Sequence, residues 1–434
     1  SRKRGVFADR ILKGEVKMKK VTGILGIVLF LIFIVTPAVN AAELPKVIKM
    51  GGQGVTSGSK ADYGHQMIMG AQMAVEEINN SGGILGSKVE MKFMDTELKA
   101  AVATKNARYL VKDWGAHFLF GIDSSGVSMA LAPIMPELDR ILIICHGATH
   151  KVNEEAIFKK GLRNTFRISV PTYQDGTLPA MIFKDRPEIK RIASLAAAYS
   201  YGYSAWEMFE KTLKKYRPDV EVVGKAEAPF LHMDFTPQLN ALMAAKPDLI
   251  LATPWGGEGL MMLRQAILLG LFEQPWFKVW FQCMGGSIDM AEGLTPDVKG
   301  GKFHGKLWAT ARYLWNWPDT PRNKEFVAKF REKFGRFPNY SAANVYTAIF
   351  TFKKAVEQTK SLDTQKLIKA LEGMKVQAPD GERWIRPEDH QACYTVPAGH
   401  YVYDSAVCPN AYLSDLVVIP WEKYYRNPPD YKLP

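Results

Sequence analysis

An α/β architecture, parallel sheets covered by helices on both faces, is the fold class this chain predicts, and two observations carry it. From Val47 to about Val279 short apolar runs of strand length alternate with longer amphipathic segments, the spacing at which successive strands lie parallel and are joined by helices. At 434 residues, 47% of them hydrophobic, the chain is long enough for two cores rather than one. In such sheets ligands bind beyond the carboxyl ends of the strands, where the connecting loops collect.

The strands read in order as KVIKMG (46–51), KVEMKFMD (88–95), HFLFG (117–121), ILIIC (141–145), RIASLAAA (191–198), EVVGKAEA (221–228), PDLILAT (247–253) and FKVWF (277–281). Helical patterns fall between them at 68–79, 101–113, 128–138, 174–184, 205–216, 236–245 and 259–269. Segment 165–171, TFRISVP, follows a block of four strands and reads as a crossing between domains, after which a second block opens at Arg191. Beyond Arg312 the pattern returns to helix, most clearly over 344–358, and the last dozen residues, rich in Pro, Tyr and Asn, read as a surface wrap.

Ahead of the first strand, residues 18–41 have the three parts of a secretory signal in order. Lys19 and Lys20 form the charged start, 21–35 the apolar run, and Val39-Asn40-Ala41 the small-residue end that a signal peptidase needs. Residues 1–17 read as an extension upstream of a natural start at Met18. The expectation is export to the periplasm; the competing reading is a membrane anchor, since the apolar run extended to Val39 approaches the roughly 20 residues that span a bilayer. No Cys follows the cleavage point to carry a lipid, which favours a freely diffusing mature protein. The removed segment holds eight Lys/Arg against two Asp/Glu, so the formal net charge falls from +12 to +6. A weak positive balance spread along the chain is not the clustered basic face that nucleic-acid binding requires.

Cys393 and Cys408 would close a short loop in a Gly/Pro-punctuated region, and an oxidising compartment makes a disulfide between them the expectation. Cys145 and Cys283 follow buried-looking strands, where a free Cys serves as a small hydrophobe. With no C-x-x-C pair, zinc and dithiol redox chemistry are excluded. Gly51-Gly52-Gln53-Gly54 after the first strand invites a dinucleotide reading, but Ser57 stands where the third glycine belongs. His146 and His150 have the separation of paired zinc ligands, yet HGATH lacks the water-activating Glu and follows a strand in loop context. No G-x-S-x-G elbow is present. Gly121 to Gly126 follows a strand and opens a helix, so Ser124 and Ser125 either cap that helix or hold a carboxylate at its N-terminus. No catalytic residue, cofactor or metal is expected.

The residues resemble a known family. Ser57-Gly58 with Asp62-Tyr63-Gly64, Gly70-Ala71, Ala74-Val75-Glu76-Glu77-Ile78-Asn79 and Gly82-Gly83-Ile84-Leu85-Gly86 is similar to the opening of the leucine/isoleucine/valine-binding proteins, type I periplasmic solute receptors of ABC importers. The likeness continues through Gly121 and the double serine, Phe166-Arg167, Tyr201-Gly202, Asp234-Phe235, Pro247-Asp248 and Leu263-Arg264-Gln265-Ala266. It implies two Rossmann-like lobes joined by three crossovers with the ligand in the interlobe cleft: 42–169 plus 312–382 as the N-terminal lobe, and 170–311 plus 383–434 as the C-terminal lobe and tail. Carried over by position, it makes Ser125, with Ser124 beside it, the carboxylate-binding serine, and Gly147 and Thr149 the residues that also hold the ligand's polar head. Tyr63 becomes a side-chain wall, Tyr201 and Trp255 the second lobe's contribution, and Thr172 and Tyr173 neighbours of the crossover.

One departure matters most. Where amino-acid receptors of this family carry a glutamate for the ligand ammonium, this chain reads Cys283-Met284-Gly285 and places Met284 there. Burying an ammonium without a carboxylate partner is costly, whereas Tyr63, Tyr173, Tyr201, Trp255 and Met284 suit an aromatic or apolar carboxylate. Asp123 and Glu258 are the carboxylates that could rescue an ammonium. The implied role is that of a periplasmic substrate-binding component capturing a small carboxylate ligand and presenting it to an inner-membrane ABC permease. The alternatives are a periplasmic sensor feeding a signalling partner, a true branched-chain amino acid receptor, and an exported hydrolase.

Overall fold

Five parallel strands form the first sheet of the computed structural model, which describes residues 44–434, all within one unit, Ala42–Pro434. The expected signal at 18–41 and extension at 1–17 lie outside the described residues. The strands are β1 (Val47–Gly54), β2 (Lys88–Asp95), β3 (Phe118–Gly121), β4 (Ile141–Ile144) and β5 (Thr165–Arg167), in the order β2-β1-β3-β4-β5. Side chains alternate across a strand, and here the alternation divides the core. Phe118 and Phe120 pack with Ile141 and Ile143 on one face, while Leu119 packs with Leu142 and Ile144 on the other. The first face is covered by α1 (Ala61–Asn80), the second by α2 (Ala100–Lys112), α3 (Ser125–Leu131) and α4 (Met135–Leu138). The single helix expected over 128–138 is divided at Ala132–Ile134 by a 3-10 turn, because Pro133 and Pro136 cannot donate backbone hydrogen bonds.

The second sheet carries β6 (Arg191–Ala197), β7 (Glu221–Ala228), β8 (Leu249–Ala252), β9 (Val279–Gln282) and β10 (Leu307–Thr310), all parallel, with helices α5 (Tyr173–Phe183), α6 (Ser200–Tyr216), α7 (Thr236–Ala245), α8 (Gly257–Leu268) and α9 (Ile288–Lys299). Three helices follow: α10 (Pro321–Phe334), α11 (Tyr340–Thr359) and α12 (Thr364–Leu371). The apolar stripe of α11, with Val345, Ile349 and Phe352, returns to the first lobe, where Phe352 stacks on Phe118 at 4.4 Å between ring centroids. Asn339 starts it sharply, its side chain accepting from Ser341 and Ala342 N–H at 2.8 and 3.2 Å.

A small antiparallel sheet, β11 (Lys375–Ala378), β12 (Gly381–Ile385) and β13 (Ala392–Cys393), precedes the last hairpin, β14 (Pro397–Val402) and β15 (Tyr412–Val418). That hairpin adds to β10 and gives the second sheet the order β15-β14-β10-β9-β8-β6-β7. The chain therefore passes between the two lobes three times: at 168–172, between β10 and α11, and at 394–396. The expected lobe boundary at 382 falls inside β12; the chain joins the second sheet only at Pro397.

Two expectations are corrected. All four cysteines are free. Cys393 lies in β13, before the hairpin begins, whereas Cys408 lies in the loop beyond the Val402–Tyr412 pair at its far end. The six residues of β14 between them span about 20 Å at the rise of a strand, and a disulfide needs Cα atoms within about 7 Å. The C-terminal segment is a surface wrap only in part, since Tyr424, Tyr425 and Tyr431 are buried between exposed neighbours. The Tyr431 hydroxyl donates to Asp389 at 3.1 Å.

Helices α1 and α11 touch closely at Gly70, where an added Cβ would overlap the carbonyl of Ala342. Gly70→Ala should destabilise the protein in urea unfolding by about 1–3 kcal/mol, the usual cost of overpacking, outweighing the gain of about 1 kcal/mol in helix propensity. Unchanged or raised stability would mean that the two helices have room to spare.

Candidate functional site

The carboxyl ends of the strands of both sheets converge on one enclosed space. After β3 the chain supplies Asp123, Ser124 and Ser125; after β4, His146 and Ala148. From the second lobe come Tyr199 and Tyr201 after β6, Trp255 after β8 and Met284 after β9, and the crossover after β10 adds Arg312. The walls stand so close that about 10 Å³ remains between them, room for about one water. A ligand of aromatic-acid size is thus admitted only as the walls part.

On the first-lobe side the sequence builds a hydroxyl-bearing wall. Ser124 is extended and caps α3, its Oγ accepting from Val127 N at 3.2 Å. Ser125 Oγ accepts from Thr149 N at 3.2 Å, which leaves its own proton free to donate. Gly147 allows this approach: a Cβ there would overlap Ser128 Oγ. The opposite wall is aromatic. Trp255 Nε1 donates to the Tyr199 hydroxyl at 2.9 Å, which fixes the indole plane.

Two buried ion pairs frame the space. Arg312 donates to Asp175 Oδ2 at 2.6 Å and to the His146 carbonyl at 2.9 Å, and its guanidinium lies 5.6 and 5.4 Å from the ring centroids of Tyr201 and Tyr340. Burial opposes its charge, but Asp175 and the neighbouring Tyr340 and Tyr201 raise its pKa on balance. Asp175 Oδ1 also accepts from Thr310 Oγ1 at 3.0 Å, and that hydroxyl accepts from Met284 N at 3.0 Å. This bond holds Met284 in a left-handed conformation with φ of 59°. In the second pair, Lys60 Nζ stands 3.1 Å from Glu258 Oε1, donates to the Trp255 carbonyl at 2.9 Å and lies 3.8 Å over the Trp255 ring. Burial lowers Lys60 to about 8 despite Glu258, and burial raises Glu258 despite Lys60, so desolvation outweighs pairing at both ends.

Burial pushes the Asp123 carboxyl up to about 6, against a hydrogen bond from the Thr96 hydroxyl that favours its charge. His146 is held well below the ordinary histidine range by burial and by Arg312 and Lys60, so its imidazole is neutral. It hydrogen-bonds the Tyr340 hydroxyl at 2.8 Å and Ser341 Oγ at 3.2 Å. His150 packs instead against Tyr173, 5.9 Å between rings, so the two histidines do not share a site.

Of the residues singled out in the sequence, Asp123, Ser124, Ser125, His146, Tyr201, Trp255 and Met284 line the space. Tyr63 stands behind it, edge-on to Trp255 at 5.0 Å and to His146 at 5.2 Å. Gly147 and Thr149 shape the first-lobe wall without lining it. Thr172 Oγ1 donates to the Ala148 carbonyl at 2.9 Å and braces that wall. Tyr173 belongs elsewhere, because its hydroxyl donates to Glu154 and its ring packs on Tyr425. Arg312 and Tyr199 escaped sequence reasoning. The available signal for Arg312 was a lone arginine directly beyond the apolar run LWATA at a crossover.

Residues 47–399 match the model of a family described as periplasmic binding protein. The Leu/Ile/Val-binding protein BraC3 of Rhizobium johnstonii is 30% identical over 48% of this chain, which spans only 55% of that relative. The Leu/Ile/Val-binding protein homolog 1 of Brucella suis biovar 1 is 28% identical over 73% of this chain and 79% of its own. Among solved structures, a solute binding protein of an ABC transporter from Rhodopseudomonas palustris BisB5, in complex with 3,4-dihydroxybenzoic acid, superposes with a TM-score of 0.76 at 21% identity, covering 87% of this chain and 98% of that one. Another from R. palustris, in complex with 4-hydroxybenzoate, gives 0.75 at 22% identity over 86% and 97%. These structural likenesses establish the two-lobed fold.

The Arg312–Asp175 pair generates a test. Arg312→Met strands a buried carboxylate and should cost about 3–5 kcal/mol in denaturant melts. Arg312→Met combined with Asp175→Leu should cost less than the single variant. A double variant losing the sum of the two single losses would show that the groups act independently.

Proposed function

The chain belongs to the periplasmic binding protein family, a binding protein and not an enzyme, and on that premise we propose that it is the periplasmic substrate-binding component of an ABC importer, taking a small aromatic or apolar carboxylate. The observation that carries this reading is the composition of the enclosed space. Tyr199, Tyr201, Trp255 and Met284 form its second-lobe walls, and serine hydroxyls face them from the first lobe. Ser125 has a proton to donate to a carboxylate, and Ser124 stands beside it at the start of α3. The aromatic walls replace the water lost from the ligand's body. Exported by its N-terminal signal, the loaded protein would present both lobes together to an inner-membrane permease.

The names of the curated relatives favour a second reading, a branched-chain amino acid receptor. Met284 counts against it. A thioether accepts no ammonium, the buried carboxylates Asp175 and Glu258 are already paired with Arg312 and Lys60, and the lining carboxylate Asp123 offers one unpartnered oxygen to an ammonium's three donors. The R. palustris proteins that share the fold were solved with hydroxybenzoic acids, which agrees with the aromatic reading.

In calorimetry, a simple aromatic or apolar carboxylate should bind more tightly than leucine, isoleucine or valine. Ligand at 100 times its dissociation constant should add about 2.7 kcal/mol to stability in a thermal-shift screen. Micromolar leucine binding with no detectable benzoate, 4-hydroxybenzoate or phenylacetate would overturn the reading. Ser125→Ala should weaken binding by about 1.5–3 kcal/mol, the worth of a hydrogen bond to a charged group. Ser59→Ala, at an exposed position, should leave it unchanged; equal affinities for the two variants would remove Ser125 from the carboxylate site.

A further inference from the structure

Three residues that line the cavity each carry a buried side-chain atom with no hydrogen-bond partner within the protein: Asp123 Oδ1, the Tyr201 hydroxyl and Arg312 Nε. Each residue is at most 2% exposed, so none turns to bulk solvent instead. Unpaired buried polar atoms are costly and uncommon in folded proteins. Their chemistry is complementary: Arg312 Nε can only donate, a carboxylate oxygen accepts, and a phenol does either. The cavity is thus completed by a molecule that brings an acceptor and a donor together.

We propose that the ligand is a hydroxylated aromatic acid whose carboxylate accepts from Arg312 Nε as well as from Ser125 and whose hydroxyl is donated to Asp123 Oδ1, with Asp123 the residue that selects hydroxylated rings over bare ones. This rests on the aromatic-carboxylate reading above and narrows it. A hydroxyl suits Asp123 better than an ammonium does. The other carboxylate oxygen is engaged by the Thr96 hydroxyl. An ammonium brings three donors, and Asp123 Oδ1 is the one lining acceptor without a partner besides the phenol of Tyr201. A site built around a ligand hydroxyl rejects the analogue that lacks it, because its own polar atoms are then left unpaired.

The experiment is calorimetry of the purified protein with benzoate, its 2-, 3- and 4-hydroxy and 3,4-dihydroxy derivatives, and leucine. At least one hydroxylated acid should bind roughly tenfold or more tightly than benzoate, the least expected of a hydrogen bond to a charged group. Asp123→Ala should abolish that preference, the ratio of hydroxylated-acid to benzoate affinity falling to about one. Asp123→Asn, which keeps shape and a neutral acceptor, should retain part of the preference and serves if the alanine variant does not fold. Equal binding of benzoate and every hydroxylated acid, or a preference unchanged in both variants, overturns this inference and leaves the aromatic reading standing. Binding of leucine that is lost in Asp123→Asn overturns it in favour of an ammonium site. Binding of no aromatic acid removes both readings.

Discussion

The buried contact between Arg312 and Asp175 is the constraint on which the rest of the site depends. Arg312 leaves β10 at a crossover between lobes, reaches Asp175 on α5 of the second lobe, and donates to the His146 carbonyl of the first. Taking a guanidinium and a carboxylate out of water costs several kcal/mol each, and only their mutual attraction with further hydrogen bonds offsets it. Those bonds are present: Thr310 completes Asp175, and Tyr201 and Tyr340 turn their ring faces towards Arg312. The same chain of bonds reaches Met284 N through Thr310, so one ion pair also sets the backbone of the second-lobe wall.

Lys60 and Glu258 repeat this logic across the other side of the space. Lys60 comes from the start of α1 and Glu258 from α8, so this pair too ties first lobe to second. The lobes meet through paired charges and aromatic faces together, which makes their closure sensitive to anything that enters between them. A ligand that parts the walls must replace the contacts it displaces. Aromatic faces, hydroxyl donors and one unpartnered carboxylate oxygen of Asp123 are available there, and a cation would also meet Arg312.

Local rules account for the elements themselves. The eight strand runs read from the sequence became β1 to β4 and β6 to β9, because side-chain alternation and β-branched content report burial directly. Three-residue β5 was read as part of a crossing between domains, and β10, as long as β3, β4, β8 and β9, was missed because it lies beyond the alternation that ends near Val279. The β11 to β15 region was misread because its strands are paired antiparallel outside the alternating βα pattern. The expected disulfide failed for a related reason. Fifteen residues is a short separation in sequence, yet an intervening strand holds Cys393 and Cys408 at opposite ends of a hairpin.

By itself the sequence determined the α/β class, the family resemblance and the polar character of the serine wall, all of which depend on spacing within a few residues of one element. Ser124 and Ser125 were legible as the residues between a strand and the helix it opens, while Tyr201, Trp255 and Met284 were carried over by position from the family resemblance. The resemblance placed Tyr173 near the crossover, and there the turn into α5 sends its ring toward Glu154 and Tyr425 instead. The tertiary structure alone decided that Arg312 meets Asp175, 137 residues away, and that Lys60 meets the Trp255 carbonyl, 195 residues away. Periodicity reports which face of an element is buried, but not which other element it is buried against. That is set by strand order and by the three crossovers, which bring distant strand ends to one point.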